Sequence, residues 1–253
     1  MQNTQLNRRT FLSGAAAGIL AAASSPGAEN PAQRPMARFP EKTDLILLTD
    51  RAPQLETPLR YFRQDFTPND AFYVRWHLSV IPTSVDLRTF RLSVGGHVDQ
   101  PLSLSVDDLR TKFQPVETIA VNQCSGNGRS YFEPRMPGGQ WQFGAMGNAR
   151  WKGVRLKDLL DKAGVRAGAV DVSFNGLDGP PMPTVSDFVK SLDIDHARDG
   201  ETLVAYEMNG KELPMLNGFP LRLVVPGWYA TYWVKALNEI KVLPEKFDGF
   251  WMT

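Results

Sequence analysis

The chain contains a single cysteine, and it lies in Val121-Asn122-Gln123-Cys124-Ser125-Gly126-Asn127-Gly128-Arg129. Residues 115–121 are apolar and β-branched enough to predict a buried strand, while the Ser, Gly and Asn residues after Cys124 are turn formers. The thiol therefore stands where a strand gives way to a loop. A thiolate is a soft ligand for transition metals, and a loop with little side-chain bulk lets a large ligand approach the backbone closely. A lone cysteine is also, commonly, a small buried hydrophobe. Against that bland reading, Asn122, Gln123, Ser125, Asn127 and Arg129 crowd more donors and acceptors around Cys124 than an inert core thiol needs. A second pair with chemical potential is Arg75 and His77, in Phe72-Tyr73-Val74-Arg75-Trp76-His77. The apolar/polar alternation predicts a strand, and positions two apart on a strand share a face, so the pair reads as two cations suited to an anion. A solvated strand edge accounts for them equally well.

Other segments must position these groups. Phe90–Gly96 and Pro101–Leu104 read as strand, turn and short strand, and Ser105 caps a short helix that runs to Lys112 through Leu109. Residues 129–143 are rich in glycine, proline and aromatics, and a loop of that length in a compact domain is expected to be functional, here as a cover over the site. Trp151–Ala163 predicts a helix, with Leu156, Leu159 and Leu160 at helical spacing and Gly164 as its stop. Val170–Phe174 reads as a strand that runs into Asn175–Pro180, where Asp178 has the ordinary job of a turn residue before Gly-Pro open to it. Ser186–Leu192 is a short amphipathic segment, Leu203–Met208 a strand ending in an Asn209-Gly210 hairpin turn, and Pro220–Val225 the last buried strand, carrying Arg222. Residues 30–60 are proline-punctuated and read as an extended arm, with Leu45–Leu48 docking on the domain and no catalytic group.

Three stretches in order carry a resemblance. They are Cys124-Ser125-Gly126-Asn127-Gly128-Arg129; Gly147-Asn148-Ala149-Arg150-Trp151-Lys152-Gly153-Val154 leading into Leu156-Lys157-Asp158-Leu159-Leu160; and Ala205-Tyr206-Glu207-Met208-Asn209-Gly210 followed by Gly218-Phe219-Pro220-Leu221-Arg222 and Val234-Lys235. Together they resemble the molybdopterin-binding domain of the sulfite oxidase family, over about residues 65–250. The resemblance implies an α+β fold of mixed, mostly β sheets with short helices, and one molybdenum pyranopterin (molybdenum-molybdopterin) cofactor. It implies that Cys124 is the protein's only bond to the metal, that Arg75 and Arg129 handle an anionic substrate, and that the Arg75-Trp76-His77 segment also contacts the pterin. Asp178, Asn217, Arg222, Trp233, Val234 and Lys235 are implied to hold the pterin and its phosphate. Two positions depart from the family: Trp76 stands where asparagine is usual, and Asn217 where histidine is frequent, which removes a charge there.

Composition bounds the rest. With 28 Lys+Arg against 27 Asp+Glu the chain has no basic field, so nucleic acid is excluded as a partner on electrostatic grounds. Asn7-Arg8-Arg9-Thr10-Phe11-Leu12 before an Ala/Gly-rich apolar run reads as a twin-arginine export signal, residues 1–28, giving a periplasmic protein with no membrane attachment after cleavage. Residues 29–64 are then the arm and 65–253 the molybdopterin-binding domain. No C-x-x-C-H occurs, so haem in this chain is not expected, and electrons must pass to a separate acceptor such as a c-type cytochrome. The family's usual continuation into an immunoglobulin-like dimerisation domain, with an active-site tyrosine near the junction, is not foreseen after Phe250–Thr253. The expectation is therefore a monomer, slow unless Tyr229 or Tyr232 replaces that phenol. The resemblance implies, as the leading function, oxygen-atom transfer to sulfite or a similar small oxyanion. The alternatives are a family reductase acting on sulfoxides and a cofactor-binding domain with little turnover.

Overall fold

Short β-rich segments broken by proline and glycine cannot build one long sheet, and among the described residues they pair instead into three. The computed structural model describes residues 34–249 and Met252; the expected export signal lies outside the described residues. Strands β1 (Met36–Ala37), β2 (Leu45–Asp50), β3 (Pro53–Glu56) and β4 (Val74–Arg75) form an antiparallel sheet in that order. β5 (Leu92–Gly96) and β6 (Leu102–Leu104) lead through helix α1 (Val106–Lys112) to β7 (Val116–Gln123) and β8 (Met146–Arg155). After helix α2 (Leu156–Ala163) come β9 (Asp171–Gly176), β10 (Lys190–Asp193), the one-turn helix α3 (Ile194–Ala197), β11 (Leu203–Met208), β12 (Lys211–Glu212), β13 (Arg222–Val224) and β14 (Leu237–Leu243). The second sheet has the order β10-β9-β14-β5-β6, and the third β12-β11-β8-β7 with β13 added on β11. This is the α+β, mostly β fold with short helices that the family resemblance implies.

Local chemistry explains most of these elements. Ser105 caps α1 with a reciprocal box, accepting from the Asp108 N–H while Asp108 accepts from the Ser105 N–H. α2 buries Leu156, Leu159, Leu160 and Ala163 on one face and stops at Gly164, whose left-handed backbone returns its N–H to Leu160 and Asp161. Truncating Leu159 to alanine would cost about 2–5 kcal/mol.

Four expectations are corrected. Trp151–Arg155 is strand, not the start of a helix, because β8 is paired on both sides: Trp151 lies opposite Thr118 of β7 and Met208 of β11. Gly153 makes that close pairing possible, since a Cβ there would come within 2.1 Å of the Val204 carbonyl oxygen. The strand before Cys124 is not buried on both faces. It is the edge of its sheet, and Ile119 and Val121 are exposed. β13 is not the last strand, because β14 follows and pairs parallel with β5 and antiparallel with β9. The arm is more than extended chain: its segment 36–56 supplies three of the four strands of the first sheet and seals a small apolar cluster of Leu45, Leu55, Val74, Trp76 and Ala236. The larger core lies between the other two sheets and α2 and includes Phe72, Trp141, Trp151, Leu159 and Trp233.

Candidate functional site

Cys124 follows directly on β7, and its loop is fixed from both sides. Its N–H donates to the Ala145 carbonyl at 2.9 Å, its carbonyl accepts from the Asn127 N–H at 3.0 Å, and its Sγ accepts the Gly126 N–H at 3.4 Å. Asn127 completes the turn by accepting the Ala145 N–H on Oδ1 at 2.9 Å. The sulfur is thus held as an acceptor at the wall of a cavity of about 230 Å³.

The wall facing Cys124 is cationic. β4 and the residues after it put Arg75 and His77 on this cavity, as the two-residue spacing predicts, and Arg129, Arg222 and Lys235 join them. Among the described residues no carboxylate lines it. Arg222 and Lys235 stand opposite each other in an antiparallel bridge, which carries both side chains to one side. Arg222 is only 4% exposed; it donates to the Asn217 carbonyl at 3.0 Å and to Asn122 Oδ1 at 3.1 Å, and lies over the rings of Trp151 and Trp233. Burial lowers its pKa to about 10. Burial, and then Arg222, also press the Lys235 ammonium below its ordinary range. Burial is likewise the first cause of the lowered Arg75 pKa, with Arg129 adding to it and Cys124 opposing it. His77 is not the cation the sequence suggests. Burial, Arg75, Lys235 and Lys190 push its imidazole far below the usual range, so it is neutral, and its ring stacks on Phe188 at 4.3 Å.

Residues 129–143 form the cover. Gly128 N–H to Gln142 O at 2.6 Å and Ser130 N–H to Trp141 O at 3.0 Å zip its two ends together. The buried Glu56 at the end of β3 accepts the N–H groups of Gln142 at 3.1 Å and Gly144 at 2.9 Å, tying the cover to the first sheet. Arg129 donates to the Gly139 carbonyl at 3.2 Å and threads between two glycines: a Cβ at Gly126 or Gly138 would fall 2.5 or 2.8 Å from its guanidinium. Gly138 also has φ +108°, a conformation that disfavours any side chain.

Four of the foreseen residues do not line the cavity. Trp233 and Val234 are core. Trp76 lies behind the wall, its indole donating to the Leu216 carbonyl at 3.0 Å and its ring carrying the Lys235 ammonium at 4.4 Å. Asp178 is buried behind Lys235, and burial raises its pKa. Asn217 does line the cavity. Sequence reasoning missed Tyr73, Phe188 and Thr231 on the wall, and Lys42 and Glu56 behind it. Tyr73 adjoins the Arg75 motif and was within reach of inspection; the others come from distant segments with no local signature.

Residues 77–251 match the family described as oxidoreductase molybdopterin binding domain. Mouse mitochondrial sulfite oxidase is 38% identical over 237 residues, covering 90% of this chain and 41% of the mouse protein. The chain belongs to the sulfite oxidase family. Chicken sulfite oxidase is 36% identical over 243 residues, covering 92% of this chain and 52% of the chicken protein. The crystal structure of the sulfane dehydrogenase SoxCD from Paracoccus pantotrophus superposes with TM-score 0.68 at 25% identity, covering 88% of this chain and 57% of that one. The chain therefore spans only about half the length of these relatives.

The site fits the cofactor of a sulfite oxidase-family domain. Arg222 Nε, Asn122 Nδ2 and Thr231 Oγ1 are buried polar atoms with no hydrogen-bond partner among the described residues, and Arg222 and Thr231 line the cavity, so an acceptor-rich anionic occupant would satisfy these open groups. Among the described residues no three His, Cys, Asp or Glu side chains gather to hold a metal ion, so a metal at Cys124 must bring ligands of its own, as a dithiolene does.

Proposed function

We propose that this chain is the catalytic domain of a periplasmic oxidoreductase that oxidises sulfite or a similar small oxyanion and passes the electrons to a separate c-type cytochrome. The observation that carries this reading is one thiol facing four basic side chains, Arg75, Arg129, Arg222 and Lys235, across a cavity that no carboxylate lines among the described residues. When bound, the molybdenum pterin supplies two-electron oxygen-atom chemistry that no side chain can perform. Cys124 would hold the metal, its sulfur steadied by the Gly126 N–H. Arg222, Lys235 and Asn217 would hold the organic part of the cofactor, with Asp178 acting behind Lys235. Arg75 and Arg129 would bind the oxyanion and stabilise the charge of the product, and neutral His77 would donate or accept a hydrogen bond without adding charge. In the overall reaction sulfite and water give sulfate, two protons and two electrons.

Export by the twin-arginine route, supported by Arg8-Arg9 and the apolar run after it, agrees with a cofactor that is inserted before a folded protein crosses the membrane. The test is sulfite-dependent reduction of cytochrome c by the purified chain, with molybdenum and pterin measured on the same sample. The expected result is cofactor present and turnover that sulfate, phosphate and rising ionic strength suppress. A loaded chain inert toward sulfite but active on a sulfoxide would overturn the direction proposed.

A further inference from the structure

Asn217 stands on the cavity wall with both ends of its amide engaged. Its Nδ2 donates to the Tyr73 carbonyl at 3.0 Å, and its Oδ1 accepts from the Lys42 ammonium. The opposite flip would set NH2 against an ammonium and oxygen against a carbonyl, so this network admits one orientation only. Lys42 comes from the turn between β1 and β2, is 6% exposed, and spends its other protons on the main-chain oxygens of Asn69 at 2.7 Å and Phe72 at 3.2 Å. It does not line the cavity, and of its three hydrogen-bond partners Asn217 is the one that does.

An ammonium on the oxygen of an amide draws electron density from the nitrogen and strengthens the remaining N–H as a donor. Asn217 keeps one Nδ2 proton beyond the one given to Tyr73. Burying a lysine is costly, and its pKa falls to about 7 through desolvation, opposed by Asp70 and Glu41. The three directed hydrogen bonds offset that cost, and one of them ends on a cavity-lining side chain rather than on backbone. We propose that Lys42 is a positioning residue that orients and polarises the Asn217 amide, so that a neutral side chain presents a cation-like donor to the electron-rich cofactor in the cavity. The inference rests on the molybdenum-pterin reading given above. It also gives the first sheet a purpose beyond packing, because the strands around Lys42 bring a group from the arm to the back of the site.

The experiment is a double-mutant cycle on the loaded chain, reading the half-time for loss of pterin by its fluorescence and, separately, the melting temperature of the cofactor-free form. Lys42→Met is expected to shorten retention about tenfold, and Asn217→Leu by a similar factor. The double variant should lose its cofactor no faster than Asn217→Leu alone. Lys42→Gln keeps a neutral donor at similar reach and guards against a Met variant that does not fold; its retention should lie between Met and wild type. If Lys42 only ties down the arm, replacing it shortens retention by the same factor whether residue 217 is Asn or Leu, and the proposal is overturned. A wild-type chain that holds no pterin overturns the functional reading itself, an outcome separate from unchanged retention in the Lys42 variants.

Discussion

Arg129 shows how much of the site depends on single side chains. Its guanidinium is held by one carbonyl and by the absence of side chains at Gly126 and Gly138, so little besides a bound anion would satisfy its remaining donors. Arg129→Met should raise the Michaelis constant for the oxyanion about 10- to 100-fold with a smaller change in kcat, since one charge-assisted hydrogen bond is worth roughly 1.5–3 kcal/mol. Steady-state kinetics checks it, and an unchanged Michaelis constant removes Arg129 from substrate binding. At this scale the sequence was most legible where residues are close neighbours. Cys124 with Arg129, and Arg75 with His77, sit in short motifs whose spacing keeps each pair together, and the fold brings both pairs to one cavity. Lys42 and Glu56 were illegible, because nothing local marks a lysine or glutamate whose partners lie far along the chain. The protonation of His77 was misread for the same reason: it is set by burial and by three cations around it, two of them remote in sequence.

Among the elements, the cover formed by residues 129–143 is fastened by β3 rather than by its own sequence. Glu56→Ala would strand the buried N–H of Gly144, at a cost of about 1–3 kcal/mol, and the partly buried N–H of Gln142 at a smaller one. The expected outcome is a lower melting temperature together with a raised Michaelis constant, because Arg129 loses its support at Gly139. A variant that melts lower but binds substrate normally would show that the fastening does not reach the site. Helix α1 could be read from its cap and α2 from its leucine spacing, since those signals are local. The error at Trp151 came from a decision only tertiary pairing makes. A short segment such as Trp151–Arg155 next to a helix fits either state, and it becomes strand here because β7 and β11 flank it on both sides. β14 escaped because its pairing partners, β5 and β9, are set by the order of the sheet.

For the molecule as a whole, the concentration of buried cations around one cavity makes the ligand-free protein sensitive to alkaline pH in an uncommon sense. Lys42 has a pKa near 7 in the folded chain against 10.5 ordinarily, and Lys190 about 8; Lys235 is lowered as well. A group whose folded pKa is depressed binds fewer protons folded than unfolded between the two values, so stability rises with pH across that window. The melting temperature of the cofactor-free chain should therefore climb from about pH 7 to pH 10. An anionic occupant that keeps Lys235 charged should flatten the climb. Thermal melts across pH, with and without cofactor, check this, and a ligand-free melting temperature that falls over that range contradicts it.

The central claim is that the one thiol binds the metal. Purified wild-type and Cys124→Ser chains should be compared by pterin content, molybdenum content and X-ray absorption at the molybdenum edge. The account predicts pterin in both, one fewer sulfur neighbour around molybdenum in the Ser variant, and turnover lowered at least about 100-fold. An unchanged sulfur count with near wild-type turnover would contradict it, leaving Cys124 as a half-buried thiol in the wall of an anion pocket.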